Sequence, residues 1–73
     1  MNMHIYGYDA GSVFYCFGRM SDKQDAYLVA KGFSERNKSQ IYFVATVSEF
    51  SFSVLIAFKD GKAIEFELMK PKE

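Results

Sequence analysis

Apolar and polar side chains alternate most cleanly in the second half of the chain, where Phe50, Phe52, Val54, Ile56 and Phe58 are interleaved with Ser51, Ser53, Leu55 and Ala57. A two-residue period marks a strand with one buried face. It runs into Lys59-Asp60-Gly61-Lys62, where Asp-Gly suits the positive backbone angles of a type I′ turn, and then into Ile64, Phe66 and Leu68 alternating with Glu65 and Glu67. Upstream, Ile41, Phe43, Ala45 and Val47 alternate with Gln40, Tyr42, Val44 and Thr46. The pattern predicts a three-stranded meander from about residue 40 to residue 69.

The first half predicts a second hairpin, with strands over 3–8 and 12–18 joined by a three-residue loop, Asp9-Ala10-Gly11, in which Gly11 takes the left-handed conformation. Gly7, inside the first of these strands, marks a bulge or a close backbone approach. Between the hairpins, Ser21-Asp22-Lys23-Gln24 has the form of a capping box with Ser21 as the cap. Gly32 suits the left-handed position after a last helical turn, with Phe33 folding back onto Leu28. A helix over 22–31 and a polar loop over 33–39 follow. The competing strand assignment rests on the composition of Tyr27-Leu28-Val29.

The order β-β-α-β-β-β predicts an α+β fold in one domain, residues 1–73: a five-stranded antiparallel sheet with one helix packed on one face. Lys70-Pro71-Lys72-Glu73 reads as a tail.

Composition narrows how so small a chain is held together. A domain of 73 residues hides only about 60% of its unfolded surface, and chains this short usually add disulfides, a metal, dense packing or an oligomer partner. A single cysteine, Cys16, excludes an internal disulfide, and Cys16 with the one histidine, His4, is too few for a Cys/His zinc site. With 49% apolar and 18% aromatic residues, packing or assembly is what remains, and no cofactor or metal is expected. Nine basic and nine acidic side chains cancel, which counts against nucleic acid as a partner and favours protein. Met1-Asn2-Met3-His4 has no basic cluster ahead of an apolar run, so the expectation is a cytoplasmic chain with no export signal or membrane span. Without export, the sequon Asn37-Lys38-Ser39 has no use.

Chemistry-bearing motifs are few. A three-residue loop pairs Tyr8 with Ser12 and carries the register down to His4 opposite Cys16, the spacing of a thiol–imidazole dyad. No orienting group or oxyanion site accompanies it, and no catalytic residue is assigned; the expectation is a protein that is not an enzyme. Lys31-Gly32-Phe33 copies the start of an RNA-binding strand motif that Ser34-Glu35-Arg36 then breaks. Arg19, Lys23, Lys31, Arg36 and Lys38 form the alternative surface, a basic helix and loop on which nucleic acid would sit with tyrosines stacking on bases.

The surplus of apolar side chains carries the functional expectation, because a ten-residue helix about 15 Å long covers one face of such a sheet at most. Alternation assigns the covered face to Met3, Ile5, Val13, Tyr15, Phe17, Ile41, Phe43, Ala45, Val47, Phe52, Val54, Ile56, Phe58, Ile64, Phe66 and Leu68. The opposite face receives Tyr6, Tyr8, Phe14, Cys16, Tyr42, Val44, Leu55 and Ala57, diluted by His4, Thr46, Ser51, Ser53, Glu65 and Glu67. Tyr6, Tyr8, Phe14, Tyr42, Val44 and Leu55 are therefore the expected interaction surface of a small modulator that binds a protein partner through this face or through a strand edge. A homodimer would also relieve the small core, and a sheet curled into a half-barrel would fold the same residues into a core instead.

Overall fold

The computed structural model of the chain describes residues 2–49 and 51–66. Its order is β1 (Met3–Asp9), β2 (Ser12–Met20), α1 (Lys23–Arg36), β3 (Ile41–Val47), β4 (Phe52–Lys59) and β5 (Lys62–Ile64). The strands form one antiparallel sheet in the order β2-β1-β3-β4-β5, with the helix packed on it, as the α+β pattern requires. Because β1 pairs antiparallel with both β2 and β3, those two strands run parallel with β1 between them. Hairpin turns cannot join parallel strands, so the chain returns through the helix. Over the described residues the short dimension is 18 Å, against 33 and 29 Å, which is the thickness of two layers.

The β4–β5 and β1–β2 hairpins each close through two residues with positive φ, Asp60 (53°) with Gly61 (76°) and Ala10 (53°) with Gly11 (85°). The second turn differs from the expected three-residue loop: Asp9 pairs with Ser12 and Tyr8 with Val13. Ala10 occupies a left-handed position that L-residues other than Asn and Asp seldom take, which hid the tighter turn. The expected continuation of β5 through Leu68 and Met69, and the start of β4 at Phe50, lie outside the described residues.

The helix is longer than local signals predict. Its cap is Asp22, not Ser21: Asp22 Oδ1 accepts from the Gln24 amide at 2.9 Å and from the Asp25 amide at 3.4 Å. At the other end Gly32 does not stop it, and the residues expected to begin a loop, Phe33 to Arg36, are its last turn. Glycine in a helix interior costs about 1 kcal/mol relative to alanine. Tertiary contacts of the final turn offset that. Phe33 stacks on Tyr42 at 5.4 Å between centroids, and the buried Ser34 hydroxyl donates to Lys31 O and accepts from the Gly61 amide at 2.9 Å. Lys38 reaches Asp60 at 3.2 Å, so the turn between β4 and β5 is held to the helix end. Ala26, Ala30 and Ser34, four residues apart, face the sheet; their small size lets helix and sheet approach closely.

Asp22→Ala is expected to lower stability by about 0.5–2 kcal/mol through the lost cap, and Ser21→Ala by much less. Paired denaturant melts check this; equal effects would contradict the cap assignment. Ser34→Ala strands the Gly61 amide and is expected to cost about 1–3 kcal/mol, with faster exchange at that amide as its local signature.

Candidate interaction face and edge

The site is best built outward from β3, because its residues Tyr42 to Ala45 are buried on both faces of the sheet. Register with β1 assigns them: Ile5 lies opposite Val44, and Tyr6 opposite Phe43. On the helix side, Tyr42 and Val44 join Met3, Ile5, Phe58, Ala26 and Ala30, with Cys16, Met20, Tyr27, Val29, Phe33 and Ile56 packed around them. On the other side, Phe43, Ala45 and Ala57 are covered by Tyr6, Tyr8, Ile41, Val54, Ile64 and Phe66.

This corrects the expected interaction surface. Tyr42 (4% exposed) and Val44 (0%) lie beneath the helix, so neither is available to a partner. Phe14 also belongs to the helix side, its ring edge-on to Tyr42 and laid over Gly7. Gly7 therefore marks a close approach, of a side chain rather than a backbone. Tyr6 and Tyr8 are on the open face as expected, half-buried in its aromatic cluster. Leu55 is exposed, but as the extra residue of a bulge: Val44 pairs with Ile56 and Ala45 with Val54. That bulge moves Phe52 and Val54 onto the open face while Ile56 and Phe58 stay beneath the helix. Val13, Tyr15, Ile41, Phe43, Ala45, Val47, Val54, Ile64 and Phe66, expected under the helix, are thus open-face residues.

The open face is a network of rings. Tyr6 stacks on Phe43 (5.6 Å, 18°) and meets Tyr15 and Phe52 edge-on, each at 5.6 Å. Phe66 covers Phe43 from the other side at 5.3 Å and meets Tyr8 at 5.2 Å. Phe43 at the centre is fully buried among these rings and the aliphatic side chains beside them, while the sheet stays open rather than curling into a half-barrel. The rim stays open: Tyr15 is 60% exposed, and Val13, Val47 and Phe52 are also exposed. Beside it, a groove of about 800 Å³ runs between Val54–Ala57 and Ile64–Phe66.

The thiol–imidazole dyad does not form. With a two-residue turn and an extra residue at Cys16, Ile5 pairs with Phe17, and His4 falls beside Gly18 and Arg19. Cys16 packs on the helix side, whereas His4 sits on the open face with its ring 6.1 Å from that of Tyr15. Gly18 leaves room for that packing: with the rings as they stand, a Cβ would collide with the Tyr15 hydroxyl and lie 2.5 Å from His4 Nδ1. Burial pushes the Cys16 thiol up from its ordinary pKa, away from a reactive thiolate. Burial likewise raises Tyr42, whose hydroxyl donates to Gln40 Oε1 at 2.6 Å while Gln40 Nε2 donates to Asp9 at 3.2 Å.

The basic residues of the alternative surface are spread out. Lys31 pairs with Glu35 at 3.4 Å and Lys38 with Asp60, the Arg36 guanidinium lies 5.5 Å from the Phe33 ring centroid, Lys23 opens the helix, and Arg19 sits in a second irregularity of β2 with φ of 64°. Among the described residues no group of His, Cys, Asp and Glu could hold a metal ion, and no helix is long and apolar enough to cross a membrane.

Because the Cys16 thiol is raised, its alkylation is expected to be several-fold slower than that of a free thiol at neutral pH and to accelerate only above the usual range of about 8.5. A pH–rate profile with a thiol reagent checks this; a thiolate present at pH 7 would restore the case for a reactive cysteine.

No protein-family model matches this chain, and neither a curated protein nor a solved structure matches it.

Proposed function

We propose that this chain is a small non-enzymatic interaction protein, a modulator that binds a protein partner through the open face of its sheet and the adjoining β2 edge. The observation that carries this reading is the apolar rim: Val13, Tyr15, Val47 and Phe52 stay exposed around a ring cluster that is already sealed at Phe43. Tyr15 and Phe52 brace the cluster through Tyr6 and Phe43, yet each leaves much of its surface open. Tyrosine and phenylalanine at such a rim provide contact area at little entropy loss, as is common in binding surfaces. Convergent polar groups that would suit catalysis are scarce among the described residues: His4 lies among the open-face rings and Cys16 lies across the sheet from it.

Val47→Ser with Phe52→Ser is expected to abolish capture of a partner from the native host's lysate, scored by mass spectrometry against wild type. These residues face each other on β3 and β4 and are exposed, so the stability loss should be about 1–2 kcal/mol. Tyr42→Ser is the control for a buried site and should cost about 3–5 kcal/mol. A partner retained by the folded double variant would contradict the open-face assignment.

A further inference from the structure

The two edges of the sheet are built differently. β5 is three residues long, begins with Lys62 and follows Lys59 and Asp60, the usual way of discouraging another strand from adding. β2 is nine residues long, and from Ser12 to Gly18 it carries no charged side chain. It has a described neighbour on one side only, and the helix lies mainly over β3, β4 and β1. Four of its large apolar residues, Val13, Phe14, Tyr15 and Phe17, are exposed. The irregularities at Cys16 and at Gly18–Arg19 bend the far end of the strand and leave Ser12–Tyr15 as the regular stretch.

Hairpin geometry determines which backbone groups that stretch offers. In a two-residue hairpin the residues flanking the turn, Asp9 and Ser12, exchange both backbone hydrogen bonds, and the pairs alternate from there. Phe14 is therefore bonded inward to Gly7, and the N–H and C=O of Val13 and Tyr15 point outward. The Phe14 ring lies back over Gly7, which has no side chain to obstruct it, so the outer edge is clear.

We infer that β2 is a self-pairing edge, the partner being a second copy of this chain, in an antiparallel two-fold arrangement centred on Phe14. This rests on the interaction-protein reading above and names the partner of its edge. In that register Val13 faces Tyr15 of the second copy, Tyr15 faces its Val13, and the four outward N–H and C=O pairs of the two copies satisfy one another. A two-fold axis brings each residue near its own kind, so a charged strand would repel itself; this one has no charge to oppose pairing. The open faces of the two copies continue as one surface, and the helices lie on the other side.

Sedimentation velocity over roughly 5 to 500 µM, the range suited to a small interface, tests the inference on the full chain. The expected result is a concentration-dependent dimer whose Kd rises at least about tenfold with Val13→Lys or with Tyr15→Lys, and returns to within about threefold of wild type when Val13→Lys is combined with Tyr15→Glu, because Lys and Glu then face each other across the axis. Amide exchange on the wild type provides a readout without mutation: Val13 and Tyr15 should slow as concentration rises, while Phe14 should not change. A wild type that stays monomeric over this range, a dimer indifferent to the lysines, or a combined variant that fails to recover would each overturn it. A dimer broken instead by Val47→Ser with Phe52→Ser would overturn the edge and uphold the open face. Partner capture lost in that variant while self-pairing persists would uphold both.

Discussion

Everything in this fold depends on burying β3 on both of its faces. A central strand whose four successive residues, Tyr42 to Ala45, are all inaccessible needs cover above and below, and the described residues hold one helix to supply it. That helix has 14 residues, about 21 Å of length, enough for Tyr42 and Val44 but not for a second layer. The other side is closed by the sheet's own rings, with Tyr6, Phe52 and Phe66 gathered on Phe43. A protein this small thus makes one core with a helix and another with side chains that remain partly wet. The second is where a sticky rim is left over.

The helix is tied down unevenly. Its last turn is fastened to the β4–β5 turn through Ser34 and Gly61 and through Lys38 and Asp60, and its small face lets it sit close to β3. Those contacts draw it toward the β4 side of the sheet and away from β2. The hairpin of β1 and β2 is consequently held by strand pairing, by the ring of Phe14 over Gly7 and by Tyr15 against Tyr6. Exposure of β2 is thus a consequence of where the helix is anchored, and the proposed partner surface follows from the same cause.

Six elements in the right order, the antiparallel sheet and the Asp-Gly turn were legible in the chain because each depends on neighbours a few residues apart. The candidate surface was only half legible. Tyr6 and Tyr8 were placed correctly, since β1 alternates with polar His4 and so shows its phase. β3 does not: Ile41 to Val47 contains one polar residue, Thr46, and an unbroken apolar run is the signature of a strand buried on both sides. Read as alternation, it sent Tyr42 and Val44 to the wrong face. The run itself was the signal that could have shown both faces to be covered.

Sequence by itself determined which segments become strands and helix and that there is more apolar material than one helix can cover. Tertiary structure alone decided which side each strand shows. Three small choices set that phase: a two-residue turn with Ala10 at positive φ, the irregularities of β2 at Cys16 and Gly18–Arg19, and the extra residue at Leu55 in β4. Each shifts pairing by one residue, and a shift of one exchanges the buried face for the open one. The same kind of long-range control carried the helix past Gly32, where stacking of Phe33 on Tyr42 and the bond from Gly61 to Ser34 outweigh a local stop signal. Partners as far as 27 residues away in sequence cannot be weighed from local propensity, and they are what place the face and edge on which function is proposed to rest.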